Sequence, residues 1–187
     1  MKITFVRHAE VIEEYQGKYN GHIDIPLSQN GKLQAKKLAL KLKDEKFDKI
    51  YCSDLLRARE TLDAFNYTTK PIFSEKLREK SWGIHEGKSF DEIQKMGIKY
   101  ENFEQWVSAL DGEDIQTYTD KVKHYFYTTI LNKKSSNTLI ITHSGFIKTL
   151  LGIIQNSPIK ETFNIQLPYG SYIILDSLNM EFSIILI

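Results

Sequence analysis

Apolar positions along the chain follow two rhythms. Short apolar or alternating runs stand at Ile3–Val6, Lys49–Cys52, Pro71–Phe73, Thr138–Thr142, Tyr172–Leu175 and Phe182–Ile187, and they predict β-strands. The last two flank Ser177-Leu178-Asn179 and predict a hairpin that closes one side of a sheet. Between Ser28 and Lys43, Ala35, Leu38, Ala39 and Leu42 recur at helical spacing with lysines opposite, which predicts an amphipathic helix. Phe146–Ile154 predicts an apolar helix. From Ser89 to Leu131 the rhythm is helical throughout (Phe90, Ile93, Met96; Phe103, Trp106, Val107, Leu110; Val122, Tyr125, Phe126), without a strand signal. Ser53, directly after a strand and before Leu55-Leu56-Arg57-Ala58, is placed as a helix N-cap.

Strands alternating with amphipathic helices predict an α/β fold, a three-layer sandwich with a mostly parallel central sheet flanked by helices. The helical stretch, about 88–132, then becomes an excursion over the C-terminal edge of the sheet, where open α/β folds bind ligands. A chain of 187 residues without repeat or linker suits one domain over 1–187.

Composition narrows the function. Lys and Arg number 25 against 24 Asp and Glu, a formal charge of +1, so no global positive field invites nucleic acid or a membrane surface. Any anion site must come from a few cations gathered locally. The single cysteine, Cys52, excludes an intramolecular disulfide and a Cys-rich zinc site, and on a buried strand it should be inert. The longest apolar stretch, Leu139–Ile154, is broken by His143, Ser144 and Lys148, too interrupted for a membrane span of about 20 apolar residues. Met1 leads into the first strand without a leader pattern, so the cytoplasm is the expected location.

The chemistry gathers at three strand ends. The first strand runs into Arg7-His8-Ala9-Glu10, the second into Ser53-Asp54-Leu55-Leu56-Arg57, the fourth into His143-Ser144-Gly145. If these strands are parallel and adjacent, two histidines and two arginines meet at one sheet edge. Guanidinium forks suit the oxygens of a phosphoryl group, and a neutral histidine among them can attack phosphorus. Taken singly, each piece has an ordinary reading: a surface Arg-His pair, a solvated cation in a first helical turn, a helix start with a capping side chain.

Together with two further motifs, the chain resembles the histidine phosphatase superfamily, the phosphoglycerate-mutase-like proteins. The resemblance rests on Arg7-His8-Ala9-Glu10-Val11, on Gly21 to Gly31 (with Asp24, Pro26-Leu27-Ser28), and on Ser53 to Thr61 (with Leu55, Arg57-Ala58). It continues in Leu77 to Gly87 (with Glu79, Trp82-Gly83, Glu86) and His143-Ser144-Gly145, in family order from residue 3 to about 150. It implies that His8 is the nucleophile, that Arg7, Arg57 and His143 form the phosphate pocket, and that Glu79 is the proton donor. A dianionic phosphate beside Glu79 would favour its protonated form, and the carboxylate could later activate water. With arginines supplying positive charge, no metal or other cofactor is expected.

The resemblance also places Asn20, Gly21, Trp82 and Ser144 against substrate. Gly17 to Leu27 is similar to the corresponding stretch of α-ribazole phosphatases, which implies a nucleotide-like 5′-phosphate such as α-ribazole 5′-phosphate, stacked on Trp82 or Tyr19. The expected partner is thus a small phosphorylated metabolite, and the expected reaction is hydrolysis. Phosphoryl transfer of the mutase type is the rival within the family, and a catalytically silent phosphate-binding module the rival outside it.

Three departures bear on the site. Ala9 stands where the family usually has glycine and asks for an ordinary backbone conformation. Glu14 stands where an asparagine often holds the phosphate, so its carboxylate has to turn away or the loop has to rearrange. His85 replaces a common tryptophan and should alter the polarity of the pocket wall. Glu10 is expected to orient its loop, while His22 and His85 could touch substrate or be structural. The C-terminal run Ser183–Ile187 suits either a central strand or the edge of a homodimer.

Overall fold

The computed structural model describes residues 1–132 and 135–185. Six strands form one sheet: β1 (Lys2–Arg7), β2 (Lys49–Ser53), β3 (Ile72–Ser74), β4 (Asn137–Thr142), β5 (Tyr172–Asp176) and β6 (Glu181–Ile185). Their order is β3-β2-β4-β1-β5-β6. The first four strands are parallel, and β5 and β6 run antiparallel as a hairpin on one side. The sheet is the mostly parallel one the sequence predicts, flanked by helices on both faces. β6 is an edge strand and not a central one; the rest of its predicted run, Leu186 and Ile187, lies outside the described residues.

The period-two pattern divides each strand between two cores. On one face Ile3, Phe5, Tyr51, Ile140, Ile173 and Leu175 pack with Val122, Phe126 and Phe146. On the other, Val6, Ile50, Cys52, Leu139 and Ile141 pack with Leu38, Leu42, Ala58 and Leu62. This is what buries both faces of a parallel sheet and leaves its strand ends as the free edge.

Helix α1 (Gln29–Lys41) begins where the hydroxyl of Ser28 accepts a hydrogen bond from the Gly31 amide. It crosses so close to the loop after β1 that a Cβ on Gly31 would lie 2.0 Å from the Glu10 carbonyl oxygen. Glu10 itself accepts from Ser28 Oγ (2.6 Å) and Asn30 Nδ2 (3.0 Å), so it ties this loop to the helix start, the orienting role expected of it. Helix α2 (Leu56–Leu62) starts two residues later than expected. Leu55 is its N-cap, and the Leu56 amide donates to Asp24 Oδ1. Ser53 is therefore the last residue of β2 and not the N-cap; its hydroxyl lies 2.8 Å from His143 Nε2 and also accepts from the Leu55 amide (3.4 Å).

The excursion consists of α3 (Phe90–Gln94), α4 (Phe103–Ala109) and α5 (Ile115–Tyr125), the last continued by a π-helical turn over Phe126–Ile130. Trp82, Ile93, Trp106, Val107 and Leu110 form a separate small core there, with Tyr19 packed against it. Helix α6 (Ser144–Gln155) starts directly after β4, and the sequence pattern did not anticipate the short α7 (Ile159–Phe163) that packs on it. Among the described residues, no helix is long and apolar enough to cross a membrane.

Candidate active site

β2, β4 and β1 are consecutive in the sheet, so the three motif-bearing strand ends are brought side by side. A cavity of about 410 Å³ opens at this edge, and Arg7, His8, Asn20, Gly21, Arg57, Glu79, Trp82 and Ser144 all line it. The remaining candidate, His143, lies fully buried beneath His8, with ring centroids 5.1 Å apart.

His8 is held in one tautomer. Its Nδ1 is 2.8 Å from the Ala9 carbonyl oxygen, which only accepts, so Nδ1 carries the proton and Nε2 keeps its lone pair. Burial first, then the charges of Arg57 and Arg7, hold its pKa well below the ordinary histidine value. The ring is thus neutral and nucleophilic near pH 7. Ala9 is fully buried, without a positive φ, and its amide donates to Thr61 Oγ1 (3.0 Å), so the replacement of glycine is accommodated as expected. His143 Nε2 is 2.8 Å from Ser53 Oγ, while its Nδ1 is buried without a protein partner. Burial and Arg57 likewise hold its pKa well down.

The two arginines are anchored by part of each fork only. Arg57, 1% exposed, donates from Nη1 to the Ile23 carbonyl and from Nη2 to the Gly21 carbonyl, both at 2.7 Å. Burial pushes its pKa down to about 10, against the opposing pull of Glu79 and Asp24. Arg7 donates from Nη1 to the Leu167 carbonyl, stacks 4.0 Å from the Tyr169 ring centre, and leaves its buried Nε without a protein partner. Donors remain on both for a phosphoryl group.

Glu79 sits at the N-terminus of α6. Its Oε2 accepts from the Gly145 amide (2.9 Å) and its Oε1 from the Lys80 amide (3.0 Å). A Cβ at position 145 would fall 1.9 Å from Glu79 Oε1, so glycine is what lets the carboxylate reach the helix end. The following loop is pinned by Glu86, whose Oε1 accepts from the His22 amide (2.8 Å), the Trp82 amide (3.1 Å) and Ser81 Oγ (3.1 Å). Gly21, at φ +45°, leaves room for that carboxylate and turns its carbonyl to Arg57.

Several expectations are resolved by position. Glu14 is exposed on the 3-10 turn Glu13–Tyr15 and does not line the cavity: the carboxylate has turned away. Asn20 lines it, with Nδ2 bound to the Tyr15 carbonyl and a buried Oδ1 lacking a protein partner. His85 does not form the pocket wall. It is buried away from the cavity, where Nδ1 accepts from the Asp111 amide (2.9 Å). His22 supports the acid loop, with Nε2 3.0 Å from the Glu79 carbonyl oxygen. Cys52 is buried with its thiol pKa raised, and is inert as expected. Sequence reasoning missed Tyr169, Lys148, Lys18, Phe90 and Phe163 as lining residues. The turn signal Pro168-Tyr169-Gly170 was the one available pointer, and it says nothing of which site the turn faces.

The three strand-end motifs named from the sequence thus meet at one edge of the sheet. The model of the histidine phosphatase superfamily (branch 1) matches residues 3–187. The chain belongs to that superfamily. It is 26% identical over 184 residues to the adenosylcobalamin/alpha-ribazole phosphatase of Salmonella typhimurium, covering 94% of this chain and 90% of that protein. It is 30% identical over 155 residues to phosphoserine phosphatase 1 of Hydrogenobacter thermophilus, covering 77% of this chain and 71% of that one. A putative alpha-ribazole-5′-P phosphatase from Escherichia coli shares the fold at a TM-score of 0.85, with 22% identity over 98% of this chain and 94% of that chain. This histidine phosphatase is accordingly an enzyme of the phosphatase type.

The imidazoles of His8 and His143 make the stability of this histidine phosphatase depend on pH. Below the ordinary value of 6.5 the unfolded chain takes up a proton on each ring, whereas the folded chain resists until the pH is well below it. Stability is therefore full above about pH 6.5 and falls as the pH drops, by up to about 2.7 kcal/mol per pH unit for two protons. Urea midpoints at pH 7.5, 6.5 and 5.5 check this: a fall confined to the acid side is expected, and a flat profile contradicts it.

Proposed function

We propose that this histidine phosphatase hydrolyses phosphomonoesters of small metabolites through a phosphohistidine on His8, without a metal ion. One observation carries the reading: a neutral imidazole with Nε2 free lines the same cavity as two incompletely bonded guanidinium groups, one of them fully buried, and the Glu79 carboxylate.

The His8 Nε2 lone pair attacks phosphorus while the ester P–O bond breaks, and its electron pair leaves with the alcohol oxygen. Glu79 protonates that oxygen. Arg7, Arg57 and His143 hold the phosphoryl oxygens where charge is spread in the transition state. The Glu79 carboxylate then takes a proton from water, whose oxygen attacks phosphorus. The P–N bond breaks, its electrons return to His8, and inorganic phosphate leaves.

Water is favoured over a second metabolite as acceptor, because the excursion contributes only Phe90 to the described cavity wall and no cation to retain a sugar acid. The likeness to α-ribazole phosphatases puts α-ribazole 5′-phosphate in the substrate panel, with Tyr19 and Trp82, edge to face at 5.0 Å, as the aromatic wall. The test is phosphate release from para-nitrophenyl phosphate and that panel in EDTA, with rapid acid and alkali quenches. An acid-labile, alkali-stable label on His8 that chases into inorganic phosphate is expected. Label returned to a second ester identifies a mutase, and binding with neither label nor release identifies a silent module.

A further inference from the structure

The helical excursion gives the cavity wall only Phe90 among the described residues, yet it grips the segment that carries Glu79. From Leu77 to Ser81 that segment is held from outside itself, carbonyl by carbonyl. Thr142 Oγ1 of β4 donates to the Leu77 carbonyl (2.6 Å), the Tyr118 hydroxyl of α5 to that of Arg78 (3.1 Å), and His22 Nε2 to that of Glu79 (3.0 Å). The Glu113 amide donates to the Ser81 carbonyl (3.1 Å), and the Ser81 amide donates back to Glu113 Oε2 (3.3 Å). The Glu113 carboxylate is in turn paired with Lys121 of α5. The excursion therefore holds the chain on both sides of Glu79, through Tyr118 before it and Glu113 after it.

Tyr118 is fully buried, in the same core as Leu77, Val122 and Phe126. A buried hydroxyl needs a partner, and the one it has is the Arg78 carbonyl. Burial first, then the carboxylates of Glu79 and Glu113, raises its pKa well above the ordinary phenol value of 10, so the hydroxyl keeps its proton and stays a donor. The Arg78 carbonyl and the Glu79 nitrogen belong to one planar peptide unit. A bond to that oxygen fixes the rotation of the plane, and with it the direction in which the Glu79 side chain leaves the backbone.

We infer that Tyr118 is a positioning residue for the proton donor: from the excursion, its hydroxyl sets the peptide plane between Arg78 and Glu79 so that the carboxyl meets the departing alcohol oxygen. Tyr118 lies outside all the sequence motifs, and the excursion that carries it was expected to cover the site, not to mount its acid. The inference rests on the reading of Glu79 as that acid.

The test compares two esters that differ by one methylene. para-Nitrophenyl phosphate releases a stabilised phenolate that needs little help from an acid, whereas para-nitrobenzyl phosphate must expel an alkoxide. Because kcat/KM stops at departure of the alcohol, it isolates the step in which the acid acts. Tyr118→Phe keeps the buried ring and removes only the hydroxyl. A positioned acid contributes about 10²–10⁴-fold, so loss of one of its clamps should lower kcat/KM about ten-fold for the benzyl ester and less than about three-fold for the phenyl ester. Both esters are measured on one preparation, so any unfolded fraction cancels in their ratio. Val122→Ala, which loosens the same helix from within the core, should leave the ratio as it is, and Glu79→Gln should shift it further than Tyr118→Phe does.

An unchanged ratio in Tyr118→Phe beside a shifted one in Glu79→Gln overturns the inference alone. An equal shift in Val122→Ala also overturns it, because any loosening of α5 would then suffice. A ratio that Glu79→Gln leaves unmoved, or release from neither ester by the unsubstituted enzyme, removes the proton-donor reading and the inference with it.

Discussion

His8→Ala should lower phosphate release by a factor of about 10⁴ or more, the scale on which removing an attacking nucleophile acts. No neighbouring group can take over. His143 lies fully buried below, with Nε2 engaged by Ser53. Glu79 is held by two backbone amides at the end of α6. Cys52 is buried in the core on the α1–α2 face of the sheet with its thiol pKa raised. The loss should be in kcat, with the label on the protein abolished, while inorganic phosphate still binds through Arg7 and Arg57. Folding should survive, because the substitution removes one hydrogen bond, to the Ala9 carbonyl, worth about 1 kcal/mol. Rapid-quench labelling beside steady-state kinetics checks both parts, and retention of more than one per cent of activity would mean that His8 is not the nucleophile.

Arg57→Lys should be nearly as damaging, although it keeps the charge. The guanidinium of Arg57 spans the Ile23 and Gly21 carbonyls with two nitrogens and still offers donors to the cavity. A single ammonium cannot serve both carbonyls and a phosphoryl oxygen from one point. A fall in kcat/KM of about 10²–10³ is expected, with KM raised as well as kcat lowered, as for loss of a charge-assisted donor in a site shielded from water. Stability should fall by about 2 kcal/mol, because at least one buried carbonyl is left unbonded. Steady-state kinetics and urea denaturation measure the two effects. Activity within ten-fold of the unsubstituted enzyme would show that charge alone, without the fork, is enough.

The parts of this site that could be read from the sequence are those in which a strand, a turn and a helix start follow each other in the chain. Arg7-His8, Arg57 and His143-Ser144-Gly145 have that form, and all three reach one cavity. Their meeting depends on β4 lying between β2 and β1, an order that local pattern cannot specify because it is decided by which sheet faces the helices bury. The cap at Ser53 was misplaced for a related reason. A serine before a helix has two uses for its hydroxyl, and that of Ser53 serves both, with a short contact to His143 Nε2 (2.8 Å) and a longer one from the Leu55 amide (3.4 Å). Tyr169, Lys148 and Phe163 come from the last third of the chain, after the motifs end. Lys148 reaches the cavity from α6, Phe163 from the end of α7, which packs on α6, and Tyr169 from the turn before β5. His85 shows the reverse error, a motif position assigned to the wall whose ring is buried instead as the acceptor of the Asp111 amide.

Two of the polar atoms left without protein partners around the cavity, Arg7 Nε and His143 Nδ1, have a consequence for how a catalytic cycle closes. Whatever satisfies them in the ester is also present in the released anion, which keeps the phosphoryl oxygens and loses only the alcohol. The pocket thus distinguishes substrate from product through the departing alcohol alone. On the mechanism proposed above, inorganic phosphate is then a built-in competitor, and the level of free phosphate around the enzyme would set how much of it is open for work.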